Sequence, residues 1–131
     1  MSKLNITALD QAREIPWRPG YRNFILAGKD HGISSSCSMG LIEPGAGAPL
    51  HYHEEDDEVI LVLEGELEFR IGEETCVVTP NHVVAIPKQV PHSFVVLGDK
   101  PARIVGFLPR QGAYVAAKYL GGNPPLSANL K

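Results

Sequence analysis

Only two cysteines, Cys37 and Cys76, occur in the 131 residues, and they do not form a CxxC pair. Neither a disulfide framework nor a thiolate zinc site is expected, and both side chains read as buried free thiols. Basic charge is scarce as well. The net charge is -3, with acid clustered from Glu54 to Glu58, so there is no basic stripe for nucleic acid and no polybasic patch for a membrane surface. No apolar run reaches the length that spans a bilayer, and the start, Met1-Ser-Lys-Leu-Asn5, has no apolar signal region. The expectation is a cytoplasmic protein whose partner is a small molecule. GxSxG, a phosphate loop and a dinucleotide fingerprint are all missing, which sets aside serine acyl transfer, phosphoryl transfer and nicotinamide chemistry.

Helical periodicity is nearly absent. A period of two prevails, most strictly in Glu66-Leu-Glu-Phe-Arg-Ile71, where apolar and charged residues alternate as in a strand with one wet face. Further strands are expected at Phe24 to Ala27, Ser34 to Ile42, Val59 to Leu63, Cys76 to Val78, His82 to Ile86, Ser93 to Leu97 and Arg103 to Leu108. Turns at Pro44-Gly45, Gly72-Glu73, Pro80-Asn81, Pro87 to Pro91 and Gly98-Asp99 separate them. Only Gly112 to Leu120 suggests a short helix, stopped by Gly121-Gly122. Many short strands with regular turns predict an all-β sandwich or barrel. The length fits one domain over residues 1–131, with a core near 20–110, an N-terminal arm and a C-terminal tail.

What the chain does contain is the spacing Gly45, His51, His53, Glu58, Gly65. Imidazoles and carboxylates are common ligands of divalent metals. Residues two apart on a strand share a face, so His51 and His53 converge while Tyr52 turns away. Glu58 lies an odd number of residues from His53, so the acidic stretch Glu54 to Asp57 must turn or bulge to re-aim its carboxylate. A fourth ligand is expected from a distant strand, and the best candidate is His92 in Ile86-Pro-Lys-Gln-Val-Pro-His92.

These residues resemble the two motifs of the cupin superfamily. The first is matched in full by Gly45, His51, His53, Glu58 and Gly65. The second, G-x5-P-x-G-x2-H-x3-N, is matched at Pro87 and His92, while Asn81 and Gln89 stand at its two glycines and Val96 at its asparagine. Asn81 is a mild departure, because Asn tolerates the left-handed conformation; Gln89 is a larger one. The resemblance implies a double-stranded β-helix, or jelly-roll barrel, with at most one short C-terminal helix. It also implies a single divalent transition metal, Fe, Mn, Ni, Cu, Co or Zn, held by His51, His53, Glu58 and His92. The likeness to quercetin-dioxygenase-type cupins implies an oxygenase acting on a small oxygen-rich compound. Isomerase, decarboxylase, lyase or cyclase chemistry is the alternative, and a non-catalytic small-molecule binder is the third. In the enzyme readings Glu58 is also the candidate catalytic base.

Several residues carry expectations that the structure can test. Glu58, Ile60 and Val62 should line the barrel, leaving Val59, Leu61 and Leu63 to be covered by a homodimer partner or by the N-terminal segment with Trp17, Tyr21 and Phe24. Phe94 and Val96 share parity with His92 and should point inward beside it. Glu54, Glu55, Asp56 and Asp57 read as a solvated turn, and Ser34, Ser36 and Ser38 as an exposed strand face. His31 and His82 read as non-ligands.

Overall fold

A computed structural model describes residues 5–111, 113 and 116–126. Eleven strands occur among them: β1 (Arg13–Arg18), β2 (Tyr21–Ala27), β3 (Ser36–Ile42), β4 (Gly47–His53), β5 (Glu58–Glu64) and β6 (Glu66–Ile71), then β7 (Glu74–Val78), β8 (His82–Ile86), β9 (His92–Leu97), β10 (Ala102–Leu108) and β11 (Ala117–Tyr119). They form two antiparallel sheets, one ordered β1-β2-β3-β10-β5-β8 and the other β11-β4-β9-β6-β7. The all-β jelly-roll expectation is met, and the described residues contain no α-helix. Where the sequence suggested a helix near the C-terminus, Ala117–Tyr119 instead pairs with His51–His53 of β4. Residues 112, 114 and 115 of that stretch lie outside the described set.

The core lies between the two inner faces. Alternation along β5, β6, β9 and β10 sends Ile60, Val62, Leu67, Phe69, Phe94, Val96 and Ile104 inward, where each is nearly inaccessible. Burying a side chain of this size contributes roughly 1.5–3 kcal/mol. Glu58, Ile60 and Val62 share the inner face as expected, as do Phe94 and Val96. The outer face of the larger sheet is left open at Val59, Val83 and Phe107, which are 39%, 62% and 43% exposed. Val59 lies opposite Phe107, and Leu61 opposite Val83. Among the described residues the N-terminal segment does not cover this patch: Trp17 and Tyr21 turn into a cavity on the inner face, and Phe24 stands on β2, with β3 and β10 between it and β5.

Both non-glycine residues at the glycine positions of the second motif adopt the left-handed conformation, Asn81 with φ of 69° and Gln89 with φ of 70°. The turn shape therefore survives the substitutions. Gln89 also donates its backbone N–H to the His53 carbonyl at 2.6 Å, tying this turn to the end of β4. A left-handed glutamine is strained, so Gln89→Gly should raise stability by about 1 kcal/mol, read as a higher urea midpoint with unchanged slope. A lower midpoint would mean that the glutamine side chain stabilises the turn by more than its backbone costs.

Neither cysteine forms a disulfide, as expected, but they are not both buried: Cys76 is exposed and Cys37 half-buried. No helix among the described residues is long and apolar enough to cross a membrane.

Candidate metal centre

His51 and His53 sit at the end of β4, His92 begins β9 beside it, and Glu58 begins β5 in the opposite sheet. The site is thus assembled across the sandwich. His51 pairs directly with His92, but the register shifts by one residue between Ala48 and His51. Ala48 and His51 both line the inner cavity although an odd number of residues separates them, which a regular strand forbids. The irregularity at Pro49-Leu50 supplies the missing half-period, as a bulge does. Close approach of β4 and β9 also depends on Gly47, where an added Cβ would collide with the Phe94 carbonyl.

Glu58 reaches the site because residues 54–57 carry the chain from one sheet to the other, as the parity argument requires. That stretch is not a simple solvated turn. Asp56 is 3% exposed and pairs with Arg110 through two contacts of 2.8 Å, one to each oxygen. Asp57 accepts the Lys88 backbone N–H at 2.8 Å. Arg110 is 54 residues from Asp56 in sequence, so nothing local to the acidic run reveals its partner. The bidentate pair fixes the start of the β10 to β11 connection, which Gln111 holds further by donating to the Ser34 and Ser35 carbonyls. The same connection brings the Ala113 carbonyl to His53.

The donor atoms of His51, His53, Glu58 and His92 lie within 4.8 Å of one another, and all four residues are buried. Each imidazole Nδ1 faces a backbone carbonyl: His51 that of Pro49 at 2.7 Å, His53 that of Ala113 at 3.3 Å, and His92 that of Val90 at 3.0 Å. Carbonyls only accept, so each Nδ1 carries a hydrogen, which leaves Nε2 as the nitrogen each ring presents to the centre. Glu58 Oε1 is 3.2 Å from His92 Nε2 and 3.5 Å from His53 Nε2. With neutral imidazoles these nitrogens are acceptors facing an acceptor in a buried space, a conflict that a proton or a metal cation among them relieves.

The proton affinities reflect the same crowding. Burial, helped by the nearby His92, pushes His51 down to about 4. Burial also disfavours charge on His53, but the hydrogen bond and charge of Glu58 outweigh it and raise His53 above its usual value. Glu58 is driven up by burial and then held well below the ordinary carboxylate range by hydrogen bonds from His53 and His92. Glu58 is thus held ionised and favours charge on His53, while burial keeps His51 neutral.

The centre opens on a small cavity of about 40 Å³. Its walls are mainly apolar, with Tyr21, Asn23, Ser38, Arg18 and Tyr119 as the polar exceptions. Ser38 and Ser36 are buried, not exposed as the sequence suggested, and Ser38 is a cavity wall. The Tyr119 ring stacks on His51 at 5.0 Å with an interplanar angle of 16°. The Tyr21 ring packs against Phe94 at 6.1 Å, and an added Cβ at Gly40 would meet it at 2.8 Å. Asn23, Arg18 and Tyr119 escaped the sequence reading, because no motif marks them and β1 and β11 are too short or too charged to announce themselves. His31 and His82 stand apart from the centre. Nδ1 of His31 accepts the Gly28 N–H at 3.1 Å, and His82 is exposed beside Thr79.

A family model described as a cupin domain matches residues 38–107. The polyketide synthase protein CurC of Streptomyces cyaneus is 32% identical over 72 residues, 55% of this chain and 47% of that protein, so the chain spans about half the length of the curated relative it matches. Among solved structures, a sugar phosphate isomerase of the cupin superfamily from Silicibacter pomeroyi superposes with a TM-score of 0.73 at 25% identity, covering 88% of this chain and 81% of that one. KdgF from Halomonas sp. gives a TM-score of 0.70 at 23% identity, covering 81% of this chain and 95% of that one, and bears on the fold alone.

Proposed function

Because this chain belongs to the cupin family, we propose that His51, His53, Glu58 and His92 hold one divalent transition metal and serve an enzyme of small, oxygen-rich organic substrates. One observation carries the reading: three imidazoles with Nδ1 committed to carbonyls and one buried carboxylate bring their donor atoms within 4.8 Å of one another. The donor set suits Fe(II), Mn(II), Ni(II), Cu(II), Co(II) or Zn(II). When bound, such an ion supplies Lewis acidity to substrate oxygens and, for the redox-active metals, access to dioxygen.

The chain's own residues supply the rest. Phe94, Ile60 and Ile104 keep the cavity dry on one side, which strengthens every polar contact made there. Asn23 offers hydrogen bonds to substrate hydroxyl or carbonyl groups. Glu58, whose carboxylate sits among the imidazoles, would be the group that takes a proton from a carbon beside a substrate carbonyl. The oxygenase reading comes first, from the likeness of the motif to quercetin-dioxygenase-type cupins. Isomerisation, or another reaction without oxygen, is the second reading, favoured by the 25% identity to a sugar phosphate isomerase. An assay of candidate substrates on protein carrying its native metal, run with and without oxygen, separates them: product at the aerobic rate in anaerobic buffer excludes the oxygenase.

The proposal extends to a homodimer formed through the open outer face of the larger sheet. Exposed Val59, Val83 and Phe107 form a contiguous apolar patch with Leu61 at its centre. Leu61→Glu should shift a sedimenting dimer toward monomer and leave metal content unchanged, because Leu61 faces away from Glu58. Wild-type protein sedimenting as a monomer at micromolar concentration contradicts the dimer.

A further inference from the structure

Arg18 ends β1 at the wall of the metal cavity, and its electrostatic situation differs from that of the other arginines. Arg13 is paired with Asp30, Arg22 with Glu14, Arg103 with Glu64 and Arg110 with Asp56. Arg70, exposed on β6, bonds the Gly72 carbonyl. Arg18 is half-buried, and no carboxylate among the described residues pairs with it. Its Nη1 donates to the Asn123 carbonyl at 2.5 Å, and its guanidinium carbon lies 5.3 Å from the centre of the Tyr119 ring. Its Nε is buried without a hydrogen-bond partner. Each of these contacts fixes the guanidinium in place, and none neutralises it.

A partly buried, immobilised guanidinium without a counter-ion is costly to maintain and is well suited to an anionic ligand. The ring that Arg18 rests on is the one that stacks on His51, so the cation stands one aromatic ring away from the metal centre. The only other charged residue lining the cavity is Glu58, already engaged with His53 and His92.

We infer that Arg18 is the anchor for a carboxylate on the substrate, so that the substrate class is an organic acid whose vicinal oxygens reach the metal while its carboxylate is held at Arg18. This rests on the metal reading proposed above for the chelating end only. A carboxylate is favoured over a phosphoryl group by donor count. A single guanidinium charge matches a carboxylate, whereas a phosphoryl dianion brings a further oxygen and a second charge, and among the described residues no lysine or second arginine lines the cavity.

The test uses protocatechuate, which carries two adjacent hydroxyls and a carboxylate, against its neutral amide. Dissociation constants are measured by calorimetry on wild type, Arg18→Gln and Arg18→Lys, each with and without Zn(II). Wild type should bind the acid roughly ten- to a hundredfold more tightly than the amide. Arg18→Gln should bind both alike, with its affinity for the amide unchanged, which also shows that the variant is folded; Arg18→Lys should keep part of the preference. Survival of the full preference in Arg18→Gln, or no preference in wild type, overturns the assignment. Tighter, Arg18-dependent binding of the matching phosphonate overturns the carboxylate in favour of a phosphoryl group. Amide binding that is indifferent to Zn(II) counts against the metal reading, and the ratio of acid to amide affinity still reports on Arg18 separately.

Discussion

Alanine at His51, His53 or His92 should each lower affinity for Zn(II) or Co(II) by roughly a hundredfold or more, while alanine at His31 or His82 changes it little. The contrast follows from geometry. The first three turn Nε2 into one buried space, and each has its Nδ1 hydrogen committed to a carbonyl. His31 Nδ1 instead accepts from the Gly28 backbone, and His82 stands exposed beside Thr79. Removing one of three imidazoles therefore removes a ligand that nothing nearby replaces. The same variants should lose the thermal shift that metal gives wild type, since an ion at a hundred times its Kd stabilises the folded state by about 2.7 kcal/mol. The barrel should nevertheless remain folded in metal-free protein, because its apolar core between the sheets is built without the four polar residues. Equal metal affinity in His92→Ala and wild type would remove the second motif from the site.

Glu58→Gln should divide the two roles of this carboxylate. Glutamine keeps the size and one oxygen donor but has no useful basicity, so loss of a general base lowers turnover by roughly 10² to 10⁴ while metal is largely retained. Oε1 lies 3.2 Å from His92 Nε2 and 3.5 Å from His53 Nε2, so one oxygen would have to serve either as ligand or as base. Metal content and turnover falling together would make Glu58 a ligand alone. Tyr21 would then be the remaining proton-transfer group in the cavity, although burial, together with the Glu58 charge, holds its phenol strongly protonated.

Much of this site was legible because strand parity is a rigid rule. The His51 and His53 pair, the inward set Glu58, Ile60 and Val62, and the alternation of Glu66–Ile71 all follow from a period of two. The same rule required a break before Glu58, and the structure supplies it as a crossing between sheets. Asn81 and Gln89 show that backbone conformation can outlast the residue type usually chosen for it. The features that were missed depend on contacts distant in sequence. Asp56 looked solvated among four neighbouring acids until Arg110 closed over it, and Ser38 looked exposed until Gly106 and Asn23 proved to face the same cavity. β11 carried no periodic signal in three residues, yet pairing with β4 is enough to place Tyr119 against His51.

The central claim is that four buried side chains form one metal centre. Elemental analysis of wild-type protein purified without added metal, followed by titration with Zn(II) after chelation, tests it most directly. The account predicts close to one transition-metal ion per chain and saturation at one equivalent, abolished by His92→Ala. Protein that carries no metal and shows no saturable uptake would contradict it.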